Sequence, residues 1–148
     1  MTGDDANRAD LPPPPAVDAP LPEAIARELL AFSPGTSPLV VMAPGGARNP
    51  ARTDNLRRWP VARYAELARR LHGEGNAIAI VGDAGDAWVR PAFASLPVLD
   101  LIGRTDLPSL VALFRRCAIA VAHDSGPLHL ARLAGAPVVA LFGPTLPR

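Results

Sequence analysis

The sequence predicts an α/β fold, built from a parallel sheet of about five strands with flanking helices. Short apolar runs rich in β-branched residues alternate along the chain with amphipathic helical stretches. The strand-like runs are apolar throughout, which is typical of parallel strands buried on both faces. Regular alternation of strands and helices favours right-handed βαβ units and hence a parallel sheet.

Composition restricts the class of protein. The 148 residues fit one domain, and a hydrophobic content of 49% is enough to bury a core. A net charge of +1 without a clustered basic face argues against nucleic-acid binding. Cys117 is the only cysteine, which excludes an internal disulfide and a cysteine-based zinc cluster.

No apolar run reaches the roughly 18–20 residues that span a membrane. The first residues also lack the basic start and apolar stretch of a signal peptide. We therefore expect a cytoplasmic protein, and peripheral contact with the inner face of the membrane stays open.

The N-terminal segment has a composition of its own. Residues 1–22 are rich in Pro, Asp and Ala, with Pro12 to Pro15 in a row. Such a run favours polyproline II, so we predict a disordered tail or linker followed by one domain over residues 23–148. Residues 23–32 begin that domain as a helix, with Ile25 and Leu29 on one face.

The remaining elements alternate in order. The predicted strands are residues 39–43, 77–81, 98–102, 119–122 and 138–142, and the predicted helices are residues 61–72, 86–95, 107–117 and 127–134. In an open parallel sheet, ligands bind beyond the carboxyl ends of the strands, where the strand order reverses. Most of the loops that follow these strands contain glycine, which lets backbone approach a ligand closely.

The loop after the fourth strand carries the most polar chemistry. Asp124 or Ser125 can cap the next helix, and Pro127 suits its first turn. The N–H groups and partial positive charge of a helix start favour a phosphate. The same residues would also serve as an ordinary helix start without a ligand.

Two further loops have polar residues in useful places. The Arg57-Arg58 pair could neutralise a diphosphate, with the Thr53 hydroxyl nearby, or it could be a solvated surface pair. A carboxylate after the second strand could accept hydrogen bonds from ribose hydroxyls. Alternatively, Asp86 caps the following helix and Asp83 makes a turn.

Other chemistries fit less well. His123 and His129 lie on opposite sides of a helix start at a spacing that matches no standard site, so we predict no metal. No dinucleotide fingerprint or P-loop is present. A small α/β enzyme that uses Ser125 or His129 directly remains a hypothesis, although no base–nucleophile arrangement is recognisable.

Taken together, four segments resemble the C-terminal domain of glycosyltransferase family 9, the ADP-heptose:lipopolysaccharide heptosyltransferases and their relatives. The likeness covers roughly residues 38–148. The segments are residues 41–47 (VMAPGGA), 57–60 (RRWP), 101–105 (LIGRT), and 122–131 (AHDSGPLHLA) with 141–145 (LFGPT).

This resemblance implies the donor-binding, Rossmann-like half of a GT-B enzyme that transfers a sugar with inversion, with ADP-heptose as the expected donor and no cofactor. Arg57 matches the basic residue near the donor phosphates, although lysine is usual there, and Thr53 matches an assisting hydroxyl. Asp86 falls near the acidic residue that binds ribose. The loop that touches sugar and diphosphate corresponds to Asp124, Ser125 and Gly126, with His129 beside it; His123 stands where asparagine is usual, which leaves the sugar or base preference open.

The resemblance also implies a part without a counterpart here. The family's N-terminal domain binds the acceptor and carries the proposed base, so we expect no catalytic base in residues 1–148 and no transfer by the isolated chain. A lipopolysaccharide-type acceptor would then require a separate or missing N-terminal half. A non-catalytic nucleotide-binding module or a degenerate fragment is the alternative. The family continues beyond the Phe-Gly-Pro-Thr segment, so we expect a C-terminally truncated domain. Its exposed apolar edge or face would favour dimerisation or poor solubility.

Overall fold

The structure of the chain, a computed structural model, describes residues 20–33, 35–46, 58–123 and 125–142. These form five parallel strands and the helices between them. In chain order the elements are α1 (Glu23–Phe32), β1 (Leu39–Ala43), α2 (Val61–Gly73), β2 (Ala77–Ile80), a 3₁₀ helix (Ala84–Phe93), β3 (Val98–Asp100), α3 (Leu107–Arg116), β4 (Ile119–His123), α4 (Gly126–Leu133) and β5 (Val138–Leu141).

The sheet has the strand order β3-β2-β1-β4-β5, with every pair parallel. Val41 in the centre pairs with Ala79 of β2 on one side and with Ala120 of β4 on the other. The chain therefore runs from β1 outward to β3, returns across the sheet and continues outward from β4. This confirms the predicted α/β fold and its parallel five-stranded sheet.

Both faces of the sheet are covered, as the apolar strands predicted. All residues of β1 and of β2 are buried. One face packs against α1, α3 and α4, with Val41, Leu113 and Leu128 in its core. The other face packs against α2 and the 3₁₀ helix, with Met42, Tyr64 and Ile80 in its core. This burial of apolar area on both faces is the main stabilising contribution to the fold.

The segment around residues 84–93 differs from the predicted α-helix at residues 86–95. It begins earlier and is a 3₁₀ helix. Pro91 lies inside it and has no backbone N–H, so an α-helical hydrogen-bond ladder would be interrupted there. Its start is fixed by a capping box in which Asp83 is the N-cap and Asp86 is the third helical residue.

Two predictions concern the two ends of the chain: the N-terminal tail and the exposed apolar surface. Residues 1–19 of the predicted tail lie outside the described residues, whereas Leu21 is buried with Ile25 and Leu29. The packed part of the chain therefore starts no later than Leu21. At the other end β5 is an edge strand, and Val139 and Phe142 are 42% and 56% exposed. No helix among the described residues is long and apolar enough to cross a membrane.

Candidate functional site

The strand order reverses between β1 and β4, the two strands at the centre of the sheet. At such a point the loops after the two strands diverge to opposite sides and leave a crevice at the carboxyl edge. Gly46 follows β1 and Ser125 follows β4, and a Cβ placed on Gly46 would lie 3.7 Å from the Cβ of Ser125. The fold thus brings two loops into contact that are far apart in sequence.

A cavity of about 340 Å³ opens at this crevice. The loops after β1, β2, β3 and β4 all contribute to its lining, and so do the starts of α3 and α4. The lining combines backbone of the glycines and three carboxyl groups with apolar side chains. The lining residues are Gly46, Gly82, Asp83, Asp86, Thr105, Asp106, Leu107, Leu110, Ser125, Gly126, Pro127 and Leu130.

A larger groove of about 670 Å³ lies at the opposite edge of the sheet, between α1 and the first residues of β1. It is lined mainly by apolar side chains, together with Cys117 and a few charged groups. Burial raises the pKa of the Cys117 thiol to about 11, so this cysteine is not a ready nucleophile. The smaller cavity is the better candidate site because polar groups from four loops converge there.

Asp86 joins the loops after β1 and β2. Its side chain is buried, and both carboxylate oxygens accept backbone hydrogen bonds. Oδ1 accepts from the N–H of Gly46 at 2.9 Å, and Oδ2 accepts from the N–H of Asp83 at 3.0 Å. Asp86 therefore lines the cavity mainly as the group that shapes it. A direct contact between Asp86 and a ribose stays a prediction.

Asp83 and Asp106 each cap a helix with one oxygen. Asp83 Oδ1 accepts from the N–H of Gly85 at 2.8 Å, and Asp106 Oδ1 accepts from the N–H of Ser109 at 2.8 Å. The hydrogen bond from Ser109 holds the pKa of the Asp106 carboxyl below its usual value. The Asp106 carboxyl also accepts a hydrogen bond from the Ser109 side chain, and the Asp83 side chain also accepts from the backbone N–H of Asp86 in the capping box. The Asp83 side chain is nevertheless exposed, and an ionised carboxylate has about four lone-pair sites for hydrogen bonds. Asp83 thus has an acceptor available at the cavity, which the sequence had interpreted as part of a turn.

The loop after β4 supplies the start of α4. Ser125 is the N-cap, but its hydroxyl donates to the carbonyl of His123 at 3.3 Å instead of capping the helix. Pro127 has no N–H, and Leu128 donates to the carbonyl of Ser125 at 3.1 Å. The N–H of Gly126 has no recorded partner within the described part of the chain. The anion-binding capacity expected of this helix start is therefore concentrated at Gly126.

Two predicted residues lie away from the cavity lining. His129 is exposed on α4, and its backbone N–H donates to Ser125 at 3.4 Å. His123 is completely buried at the end of β4. Its ring packs edge-on against Tyr64, with 5.1 Å between ring centroids. Burial is the main cause that lowers the pKa of His123, and the nearby Arg58 adds to it, while a hydrogen bond to Pro44 opposes it.

The structure gives contacts for Arg58, the second residue of the arginine pair that the sequence predicts could neutralise a diphosphate. Its Nε donates to the carbonyl of Gly46 at 2.9 Å. Its guanidinium lies 5.2 Å from the ring centroid of Trp88, a distance that allows a cation–π contact. A tryptophan two residues beyond Asp86, in the segment that follows a strand, was the one local feature of the sequence that could have indicated this contact; Trp88 is 39% exposed. Thr53, Arg57 and Asp124, which the sequence also predicts as donor-binding residues, lie outside the described residues.

Within the described ranges, no group of three or more His, Cys, Asp or Glu side chains is placed to hold a metal ion.

The chain is similar in sequence to a family of known proteins. The family model of glycosyltransferase family 9 (heptosyltransferase) matches residues 6–148. Lipooligosaccharide heptosyltransferase 2 of Haemophilus influenzae is 36% identical over 121 residues, which cover 77% of this chain and 34% of that protein. Lipopolysaccharide heptosyltransferase 2 of Salmonella typhimurium is 34% identical over 126 residues, which cover 74% of this chain and 32% of that protein.

Among solved structures, the E. coli ADP-heptose LPS heptosyltransferase II superposes with a TM-score of 0.70 at 32% identity. It covers 82% of this chain and 38% of that one. A glycosyltransferase of family 9 from Veillonella parvula gives a TM-score of 0.72 at 28% identity, over 84% of this chain and 35% of that one. The chain thus spans about a third of the length of the relatives that it matches.

Proposed function

Since the chain belongs to glycosyltransferase family 9, the heptosyltransferase family, we propose that its cavity binds the nucleoside-diphosphate sugar donor of an inverting glycosyltransferase. The convergence of four strand-end loops on one cavity at the β1/β4 switch point carries the proposal. The E. coli relative is named for ADP-heptose, and we propose a donor of that type here. A lipopolysaccharide-type acceptor is the corresponding proposal for the second substrate.

Charge divides the cavity into regions for different parts of the donor. A diphosphate would be repelled by the carboxyl groups of Asp83 and Asp106, so we place it at the part of the cavity formed by Gly46 and Gly126, which we call the phosphate end. There the N–H of Gly126 can donate, and Arg58 supplies a cation beside Gly46. We propose that Arg57, Thr53, Asp124 and Ser125 belong to this phosphate end, and that His129 lies next to it.

We place the nucleoside against Asp83 and the leucine side chains of the lining. The exposed Asp83 carboxylate can accept from ribose hydroxyls, while Leu107, Leu110 and Leu130 offer an apolar surface for a base. In this arrangement Asp83 makes the contact first predicted for Asp86, and Asp86 holds the two loops in place. The residues of this cavity would stabilise the leaving diphosphate, whereas the base for the acceptor hydroxyl would come from another part of the enzyme.

Calorimetry with ADP, AMP and ADP-heptose tests the proposal on the whole chain. We expect ADP to bind more tightly than AMP, because the second phosphate reaches Gly126 and the arginines. Arg57→Ala and Arg58→Ala should each weaken ADP binding about tenfold, the effect of one charge-assisted hydrogen bond. Arg70→Ala is the matched control, since Arg70 pairs with Glu66 on the exposed side of α2. The proposal fails if a folded sample does not bind ADP, and the site assignment fails if all three variants bind equally.

The ribose contact has its own test. Wild-type chain should bind ADP more tightly than 2′,3′-dideoxy-ADP, and Asp83→Asn should reduce that difference. If Asp86→Asn removed the difference while Asp83→Asn left it intact, the original interpretation of Asp86 would be right. Transfer of heptose after adding a family-type acceptor half would distinguish a catalytic donor domain from a nucleotide-binding module without activity.

A further inference from the structure

His123 is a polar side chain that the proposed chemistry does not use. It is 0% exposed, and its ring reaches two backbone groups in other segments. Nδ1 accepts from the N–H of Trp59 at 3.1 Å, and Nε2 lies 3.3 Å from the carbonyl oxygen of Pro44. Both partners are more than sixty residues away in sequence. The side chain therefore ties the end of β4 to the segment after β1 and to the segment before α2.

These partners determine the protonation state of the ring. A backbone N–H can only donate, so Nδ1 facing Trp59 must be unprotonated. A carbonyl oxygen can only accept, so Nε2 facing Pro44 must carry the proton. The arrangement is satisfied by the neutral Nε2–H tautomer and not by the imidazolium ion. Burial of the ring and the nearby cation of Arg58 both disfavour the imidazolium ion.

Trp59 is connected to the candidate site through its neighbour Arg58. Arg58 precedes Trp59, and its Nε donates to Gly46, whose N–H donates in turn to Asp86. The backbone position of Trp59 therefore limits where the Arg58 guanidinium can lie. The Trp59 ring is itself held edge-on against Tyr64, with 5.0 Å between ring centroids. His123 thus acts on the cavity through a chain of contacts without lining it.

We infer that His123, as the neutral Nε2–H tautomer, is a positioning residue: it holds the backbone of Trp59 so that Arg58 is fixed beside Gly46 at the phosphate end of the cavity. The positioning itself is a property of the free chain. Its consequence for ligand affinity rests on the proposed function, since it requires that an anion binds there. The role differs from the direct donor contact that the sequence predicts for His123.

Two substitutions separate the packing of the His123 ring from its hydrogen bond with Trp59. His123→Phe keeps a ring that can pack against Tyr64 but removes both ring nitrogens. His123→Asn loses the ring but places a carbonyl oxygen one bond beyond Cγ, where Nδ1 lies in histidine, so it can still accept from Trp59. His72→Asn is the matched control, because His72 is an exposed histidine near the end of α2.

The first measurement is made by NMR on the free chain. The nitrogen shifts of the His123 ring should identify the Nε2–H tautomer at neutral pH. Amide exchange of Trp59 should become at least about tenfold faster in His123→Phe and stay within about threefold of wild type in His123→Asn and His72→Asn. An Nδ1–H tautomer, or equal exchange in the two His123 variants, would overturn the inference. If the Phe variant does not fold, the ring-nitrogen shifts of the wild-type chain still decide the test, since an Nδ1–H tautomer could not accept from Trp59.

The second measurement is the affinity for ADP at neutral pH. His123→Phe should bind about tenfold more weakly than wild type, and His123→Asn should recover most of that loss. Combining Arg58→Ala with His123→Phe should add little to the loss from Arg58→Ala alone, because both act through one guanidinium. Fully additive losses would overturn the link to Arg58. If wild-type chain did not bind ADP, the proposed function would fail, while the exchange data would still decide whether His123 positions Trp59.

Discussion

Replacement of Asp86 by alanine should destabilise the domain by about 3 kcal/mol, because one side chain joins two loops. It removes the acceptors for Gly46 at 2.9 Å and for Asp83 at 3.0 Å. A hydrogen bond to a carboxylate contributes about 1.5–3 kcal/mol net, and Asp86 is buried, so screening by water is small. We take the lower end for each bond because the freed N–H groups border a cavity that water can enter.

Thermal and urea unfolding of the whole chain measure this effect. For a domain of this size, a loss of about 3 kcal/mol lowers Tm by roughly 6–12 °C. Asp86→Asn should cost about 2 kcal/mol, since it keeps one acceptor but directs an amide group at a backbone N–H. Glu66→Ala, which breaks an exposed ion pair on α2, should cost no more than about 0.5 kcal/mol. If Asp86→Ala and Glu66→Ala shifted Tm equally, the loops would not depend on Asp86.

Three further predictions follow from buried groups near the site. Gly82→Ala should destabilise by about 1–3 kcal/mol, because its Cβ would lie 2.6 Å from Asp86 Oδ2, whereas Gly73→Ala, with open space around it, should be neutral or stabilising by urea unfolding. Tyr64→Phe should raise Tm slightly, because the buried hydroxyl has no hydrogen-bond partner among the described residues; a clear loss of stability would instead indicate a partner outside them. The free energy of unfolding should fall as pH drops below about 6.5, because His123 takes up a proton more readily in the unfolded chain than in the folded chain, where its pKa is lowered. His123→Asn should lose this pH dependence. If the variant and the wild-type chain had the same pH profile of stability, the prediction would be wrong.

Most of the fold could be predicted from local pattern. Every predicted strand and helix occurs, and their ends differ by a few residues at most, because periodicity and turn residues are local properties. The exception is the segment at residues 84–93. Its 3₁₀ form depends on Pro91 together with the Asp83–Asp86 capping box, and the sequence interpretation had considered Asp86 as the cap. The sequence thus correctly indicated that Asp86 takes part in capping this helix, but Asp86 is the third helical residue and Asp83 is the N-cap.

The candidate site was less predictable. Sequence order placed Ser125 and Gly126 at a helix start after a strand, and the structure puts both at the cavity. Nothing local indicated that the His123 side chain turns inward to Pro44 and Trp59, or that Arg58 reaches Gly46. These are contacts between segments separated by many residues, and they depend on strand order and register.

The sequence by itself therefore determined the α/β class, the parallel sheet and the loops that carry polar chemistry, because apolar periodicity and helix-start residues act over a few positions. Only the tertiary structure decided what each polar side chain does. Which loops meet depends on the reversal of strand order between β1 and β4, and whether a carboxylate or an imidazole faces a ligand or a backbone N–H depends on its neighbours in space. The sequence predicts Asp86 and His123 as ligand contacts, and that stays a prediction; the structure adds that both side chains are buried and hydrogen-bonded to the backbone of loops around the cavity.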